Sequence, residues 1–134
     1  MRIIFITLLF IPCIAFAANW VEYNPGFWID TNSISQKRNF KKAWFKSKDA
    51  KLKDGNAYTG FKQYNETKSL EYFDCKTRES ATLEIYYYSD LDFLGSFSAR
   101  VNPSLFTEVA PDTIGEIDLE LACNKQALKK LLGN

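Results

Sequence analysis

Two cysteines 48 positions apart, Cys75 and Cys123, constrain this chain more than any other feature. They are the cysteines that remain once the apolar start of the chain is removed, so a single intramolecular pairing is available. In an oxidising compartment such a pair is expected to form a disulfide. Closing that loop stabilises a fold by roughly 4 kcal/mol in chain-entropy terms. Intermolecular pairing and a metal site are the alternatives. Two lone thiols without C-x-x-C spacing, in a chain with no histidine, make a poor zinc site.

The compartment is read from the N-terminus. Met1-Arg2 places one positive charge ahead of Ile3 to Ala17, a run apolar except for Thr7, which closes in Ala15-Phe16-Ala17. A charged start, a short apolar stretch and an A-x-A end make a secretory signal over residues 1–17. The run is too short to be a membrane helix, which needs about 20 apolar residues. Cys13 is a poor acylation site, because Pro12 stands where a small residue is needed and the cysteine lies inside the apolar run. The reading is therefore an exported chain, periplasmic, secreted or at the cell surface, with no stable membrane anchor after cleavage. Residues 18–134 form a single domain, and losing Arg2 leaves 16 basic against 16 acidic side chains.

Apolar periodicity then divides the domain. Trp20 to Tyr23 and Gly26 to Asp30 read as short strands about Asn24-Pro25-Gly26, with Asp30 to Ser33 as a turn cluster. Phe40 to Lys48 reads as a strand with Trp44 and Phe45 on opposite faces. A turn at Lys53 to Asn56 leads to a strand from Ala57 to Tyr64, a turn at Asn65 to Lys68, and a strand from Ser69 to Lys76 carrying Cys75. Thr82 to Ser89 alternates most clearly, with Leu83, Ile85 and Tyr87 on one face and Thr82, Glu84, Tyr86 and Tyr88 on the other. Phe93 to Val101 adds a strand weakened by Gly95. Beyond Pro111 the period changes: Thr113-Ile114-Gly115-Glu116 has the form of a capping box, and Ile114, Ile117, Leu121, Leu128, Leu131 and Leu132 share a helical stripe. Cys123 lies on that helix, so its disulfide would pin helix to sheet.

Catalytic signatures are absent. The lack of histidine removes Ser–His, Cys–His and His–metal arrangements, and there is no G-x-S-x-G, P-loop or Gly-rich dinucleotide turn. Glu116, Asp118 and Glu120 read as a solvated helix face, since residues two apart on a helix do not meet. Asp90 and Asp92 are too unspecific to argue for calcium. The expectation is a non-enzymatic protein without a cofactor. Near-neutral charge and export argue against a nucleic-acid partner.

The neutral total conceals segregation. Lys37, Arg38, Lys41, Lys42, Lys46, Lys48, Lys51 and Lys53 face only Asp49 in their segment, while Glu79 to Glu120 is acidic except for Arg100. Such a segment is ordinarily a solvated face. The sharper alternative is a surface for a protein or anionic macromolecule, formed by Lys37, Arg38, Lys41, Lys42, Trp44, Lys46 and Lys48. Tyr86-Tyr87-Tyr88 presents a similar choice between strand packing and binding surface.

The mature chain also resembles the surface-adhesin protein E family of short exported proteobacterial proteins. The resemblance rests on Trp20, Trp28-Ile29-Asp30 with Ser33-Ile34, Ala43-Trp44, Phe73-Asp74-Cys75, the Gly95 region and Pro111-Asp112-Thr113 leading to Cys123. It spans Asn19 to Asn124. It implies a six-stranded antiparallel sheet with a C-terminal helix tethered by a disulfide, which agrees with the periodicity. The expected fold is therefore α+β: a single antiparallel sheet of about six strands with a C-terminal α-helix pinned to it. The family's namesake is a lipid-anchored, dimeric adhesin for host extracellular-matrix proteins and plasminogen, so the resemblance implies adhesion to a host matrix protein or other macromolecule, and a homodimer; unpaired sheet edges are templates for such pairing. The chain departs from the family in lacking a lipidation site and in having Pro-Asp-Thr where Pro-Gly-Ser is expected before the helix. A periplasmic envelope protein or inhibitor without adhesive role is the alternative. Intact mass of the exported protein should correspond to a start at Ala18 and fall about 2 Da below the reduced chain, the two hydrogens lost in one bridge; a start elsewhere or a reduced mass would contradict the leader or the pairing.

Overall fold

The computed structural model describes residues 17–133, so the leader assigned to 1–17 lies, all but its last residue, outside the described residues. Six antiparallel strands follow one another across a single sheet in the order of the chain: β1 (Trp20–Asn24), β2 (Phe27–Lys37), β3 (Phe40–Lys53), β4 (Tyr64–Asp74), β5 (Glu79–Ser89) and β6 (Asp92–Ser98). A two-residue β7 (Thr107–Glu108) pairs with the start of β5, beyond the end of β6. Two helices close the chain, α1 (Ile114–Cys123) and α2 (Lys125–Leu131).

The side-chain period of two gives this sheet two apolar faces. Ile29, Ala43, Phe45 and Phe73 point to one, where Leu119, Leu121 and Ala122 of α1 cover them. Leu70, Tyr72, Ala81 and Leu83 point to the other and are covered by Ala99 and Phe106 of the segment leading to β7, with Phe106 stacked on Phe40. The anticipated disulfide is present. Cys75, in the turn after β4, joins Cys123, the last residue of α1, with 5.7 Å between the Cα atoms. On the far side of the same turn, Arg78 reaches α1 with one guanidinium nitrogen on Glu116 and another on Glu120, both at 2.9 Å.

Several local expectations are corrected. Residues 30–33 are not a turn but an irregular part of β2, where side chains replace ladder bonds. The Asp30 carboxylate accepts from the Asn32 amide, and Ser33 Oγ accepts from the Trp44 amide at 2.8 Å. The strand expected at 57–64 is a 3-10 turn over Ala57–Thr59. The Asn56 side chain accepts from the Tyr58 and Thr59 amides, and Gly60 takes the left-handed conformation that ends the turn. The polar residues 65–68, expected as a turn, lie inside β4, with Glu66, Thr67 and Lys68 paired on both sides. Cys75 falls just beyond that strand.

In β5 the alternation is broken by a bulge. Thr82 pairs with Glu71 and Glu84 with Leu70, leaving Leu83 as the extra residue. Leu83 therefore packs with Leu70 and Ala81, on the face that Glu84, Tyr86 and Tyr88 share further on, instead of with Ile85 and Tyr87. The single expected helix is two, separated at Asn124, whose side chain caps α2 by accepting from the Gln126 and Ala127 amides. Ile117, expected in the buried stripe, is 40% exposed, while Leu119 is 2% exposed. Thr113 caps α1 as expected, but Glu116 reaches back to the Asp112 amide, one residue upstream of the capping-box position.

Gly95 is explained by the 3-10 turn, which lies across β5 and β6 on the helix side with Tyr58 against Tyr87 and Phe97. A Cβ on Gly95 would stand 1.7 Å from the Tyr58 carbonyl oxygen. Gly95→Ala should lower stability by about 1–3 kcal/mol, read as an earlier midpoint in urea unfolding. An unchanged midpoint would mean that this turn does not pack on β6.

Candidate functional site

The helices occupy one face of the sheet and the 99–106 segment covers part of the other. What remains of that other face is built from three cross-strand rows. The first runs Trp28, Lys46, Lys68, Tyr86 across β2 to β5, the second Trp20, Asp30, Trp44, Leu70, Glu84 across β1 to β5, and the third Lys48, Glu66, Tyr88, Phe93 across β3 to β6. Trp20, Trp44, Tyr86 and Tyr88 line an open cleft of about 320 Å³, together with Ala18, Asp30 and Lys68. The Trp44 and Tyr86 ring centroids are 5.8 Å apart.

Lys46 and Lys68 are directly opposed across β3 and β4, an arrangement that costs energy between like charges. Each is drawn onto aromatic faces. The Lys46 ammonium stands 4.4 Å from the Trp28 ring centre and 5.2 Å from that of Trp20, and the Lys68 ammonium 4.7 Å from that of Tyr88. Lys68 also lies 3.8 Å from Glu66. The acids nearby are engaged: Asp30 accepts from the Asn19 and Asn32 amides, and Glu84 from the Tyr86 hydroxyl, which pushes the Tyr86 pKa upward.

The structure divides the basic segment that the sequence singles out. Lys42, Trp44, Lys46 and Lys48 share the helix-free face, as alternation along β3 requires. Lys41 is one position out of phase and belongs to the helix side, opposite Phe73. Lys37 and Arg38 lie at the β2–β3 hairpin and line a separate hollow with Phe40, Tyr72 and Val101. Trp20, Trp28, Lys68, Tyr86 and Tyr88 were missed as members of one surface. The signal for them is non-local, since it depends on strand register, and only the run Tyr86-Tyr87-Tyr88 hinted at it.

The helix side holds a polar cluster of a different kind. Asp118 does not lie on a solvated face: it accepts a short hydrogen bond from the Tyr23 hydroxyl at the helix–sheet interface. Burial, tempered by that hydrogen bond and reinforced by the charge of Glu71, raises the Asp118 carboxyl to about 7. Burial likewise raises Glu71, which accepts from Thr82 Oγ1 at 2.9 Å, and pushes the Tyr23 hydroxyl above its ordinary range. Glu116 and Glu120, on the same helix, point to Arg78, and that hydrogen bond holds Glu120 below the usual range. The described residues contain no group of three or more potential metal-ligating acids or cysteines. None of their helices is long and apolar enough to cross a membrane.

These features define a disulfide-tethered sheet-and-helix domain with one face sealed and the other partly open. The family described as surface-adhesin protein E matches residues 20–124, and the chain belongs to that family; it is an adhesin-like protein. Its fold is similar to that of Haemophilus influenzae protein E. The selenomethionine form of that protein aligns with a TM-score of 0.54 at 11% identity, over 84% of this chain and 89% of the other. A second crystal form gives 0.54 at 14% identity, over 82% and 89%. The crystal structure of protein E from non-typeable H. influenzae gives 0.53 at 13% identity, over 92% and 94%. No curated protein matches the sequence.

Asp118 sets the expected response to pH. Its carboxyl titrates near 7 when folded and near the ordinary aspartate value when unfolded, so between those limits the folded state holds the extra proton. Stability therefore rises as pH falls from about 7 toward 4 and is lost as pH rises through 7, with Glu71 acting in the same direction. Asp118→Asn keeps an acceptor for Tyr23, and should flatten this dependence and raise the thermal midpoint at pH 8 by about 4 °C for each kcal/mol recovered. Melting curves across pH 4–8 check it; identical pH profiles for the two proteins would overturn it.

Proposed function

We propose that this is an exported, non-enzymatic binding protein that adheres to a macromolecule, such as a host extracellular-matrix protein, through the uncovered part of its helix-free sheet face. The observation that carries the reading is the cross-strand assembly of Trp20, Trp28, Trp44, Tyr86 and Tyr88 with Lys42, Lys46, Lys48 and Lys68 on that face. Aromatic side chains offer large contact area at low entropic cost, and basic groups beside them suit an anionic partner. Family membership supports the adhesive class. Lys37, Arg38 and Lys41 fall outside the proposed surface by their placement. The outer edges of β1 and β6 are the places for a second copy to pair, if the domain is a dimer.

A second reading, an envelope protein retained in the periplasm, is favoured by Pro12 before Cys13, which argues against a lipid anchor. Protease added to intact cells separates the two, since only a displayed protein is shaved off.

Lys42, Lys46 and Lys48 changed together to Glu should reduce adherence to matrix-coated wells at least tenfold, while Lys41→Glu changes it less than twofold. Equal loss in both variants, or none in the triple variant, would remove the helix-free face from the account.

A further inference from the structure

Resting on the reading of the helix-free face as the binding surface, we infer that its cleft binds an acidic pyranose, a sugar ring bearing a carboxylate, stacked on Trp44 and Tyr86 with the carboxylate between Lys46 and Lys68. The volume of about 320 Å³ is near the lower end of small-molecule sites, which span about 300–1,000 Å³, and the cleft is open along its length. It can therefore cover one side of a ligand and leave the other in water. A pyranose matches that division, since one face presents C–H groups to an aromatic ring while its hydroxyls remain solvated.

Two lysines select the acid: Lys68 lines the cleft, and Lys46 stands at its edge over Trp20. Lys46 and Lys68 are cross-strand neighbours, with Cβ atoms about 5 Å apart in such a pair. Among the described residues Lys46 makes no ion pair, and the Lys68–Glu66 contact is long at 3.8 Å. The carboxylates nearby are already engaged: Asp30, in the cleft lining, accepts from two backbone amides, and Glu84 accepts from Tyr86. The Lys46 ammonium rests over Trp20 and Trp28 and that of Lys68 over Tyr88, so the two turn inward onto a ligand carboxylate and gain charge-assisted hydrogen bonds there. An extended peptide fits less well, because the floor of the cleft, Trp44 and Lys68, lies on β3 and β4, whose backbone groups are paired on both sides.

The experiment is an NMR titration of the mature protein, residues 18–134, with 3′-sialyllactose, lactose and sodium acetate, following the Trp20 and Trp44 indole N–H signals. The expected result is saturable shifts of both signals with 3′-sialyllactose, at least tenfold tighter than with lactose, and none with acetate. The variant K46Q/K68Q, which keeps the aliphatic stems, should bind 3′-sialyllactose no better than lactose and melt within about 2 °C of the parent. Acetate binding as tightly as the sugar, no indole shift with any probe, or an undiminished sialyllactose preference in K46Q/K68Q would overturn the inference. So would binding to phosphatidylglycerol vesicles that 3′-sialyllactose does not displace. Adherence of the same variants to matrix-coated wells separates this inference from the reading beneath it. Adherence lost in K46Q/K68Q, with no sugar binding by the parent, rejects the sugar and retains the face. Sugar binding with adherence unaffected supports the sugar and rejects the face as the adhesive surface.

Discussion

The packing of α1 against the middle strands divides the molecule into a sealed side and an open side. Leu119, Leu121 and Ala122 bury Ile29, Ala43, Phe45 and Phe73, so the helix is committed to one face of β2, β3 and β4. Its C-terminal end is held by Cys123 on Cys75 and its body by Arg78 on Glu116 and Glu120. All these tethers arise from the β4–β5 turn. That concentration makes the disulfide more than a loop closure, because it fixes the helix whose Leu119, Leu121 and Ala122 are buried in the core. The cost of this placement is borne by Asp118, half-buried beside Tyr23 and relieved by taking up a proton.

Once α1 is committed, the opposite face must be covered by something else, and the chain covers only part of it. The segment carrying Ala99 and Phe106 closes over Leu70, Tyr72, Ala81 and Leu83, helped by the bulge that swings Leu83 to that side. Beyond the bulge, the same face carries Tyr86 and Tyr88 with Trp20, Trp28 and Trp44 across the sheet, and no further segment of the described chain lies on them. Two opposed lysines in that region use the rings as partners. The carboxylates on that face are held by amides, Tyr86 and Lys68, so the aromatic rings with Lys46 beside them are left to suit a surface that meets a partner.

Much of the architecture is legible in the sequence. The cysteine pair, the alternation in β3 and β5, the cap at Thr113 and the ordered family features all point to an antiparallel sheet with a tethered helix. What could not be read is what depends on non-local register. Nothing local distinguishes Asn65 to Lys68 from a turn, because the strand character of Glu66, Thr67 and Lys68 comes from neighbours on both sides. A one-residue bulge at Leu83 reverses part of β5, and periodicity cannot see it. For the site, the basic run was visible but its division was only partly so. Phase along β3 separates Lys41 from Lys42 and Lys46, whereas bringing Lys68 and Trp20 beside them requires the strand order.

The most direct test is oxidative footprinting of Trp and Tyr side chains in the mature protein, in solution and bound to matrix-coated beads. Trp20, Trp44, Tyr86 and Tyr88 should be labelled in solution and protected together on the beads, while Tyr23 and Tyr58 on the helix side keep the same labelling in both states. Protection confined to Tyr23 and Tyr58, with Trp44 and Tyr86 unchanged, would place the partner on the side that the account describes as sealed.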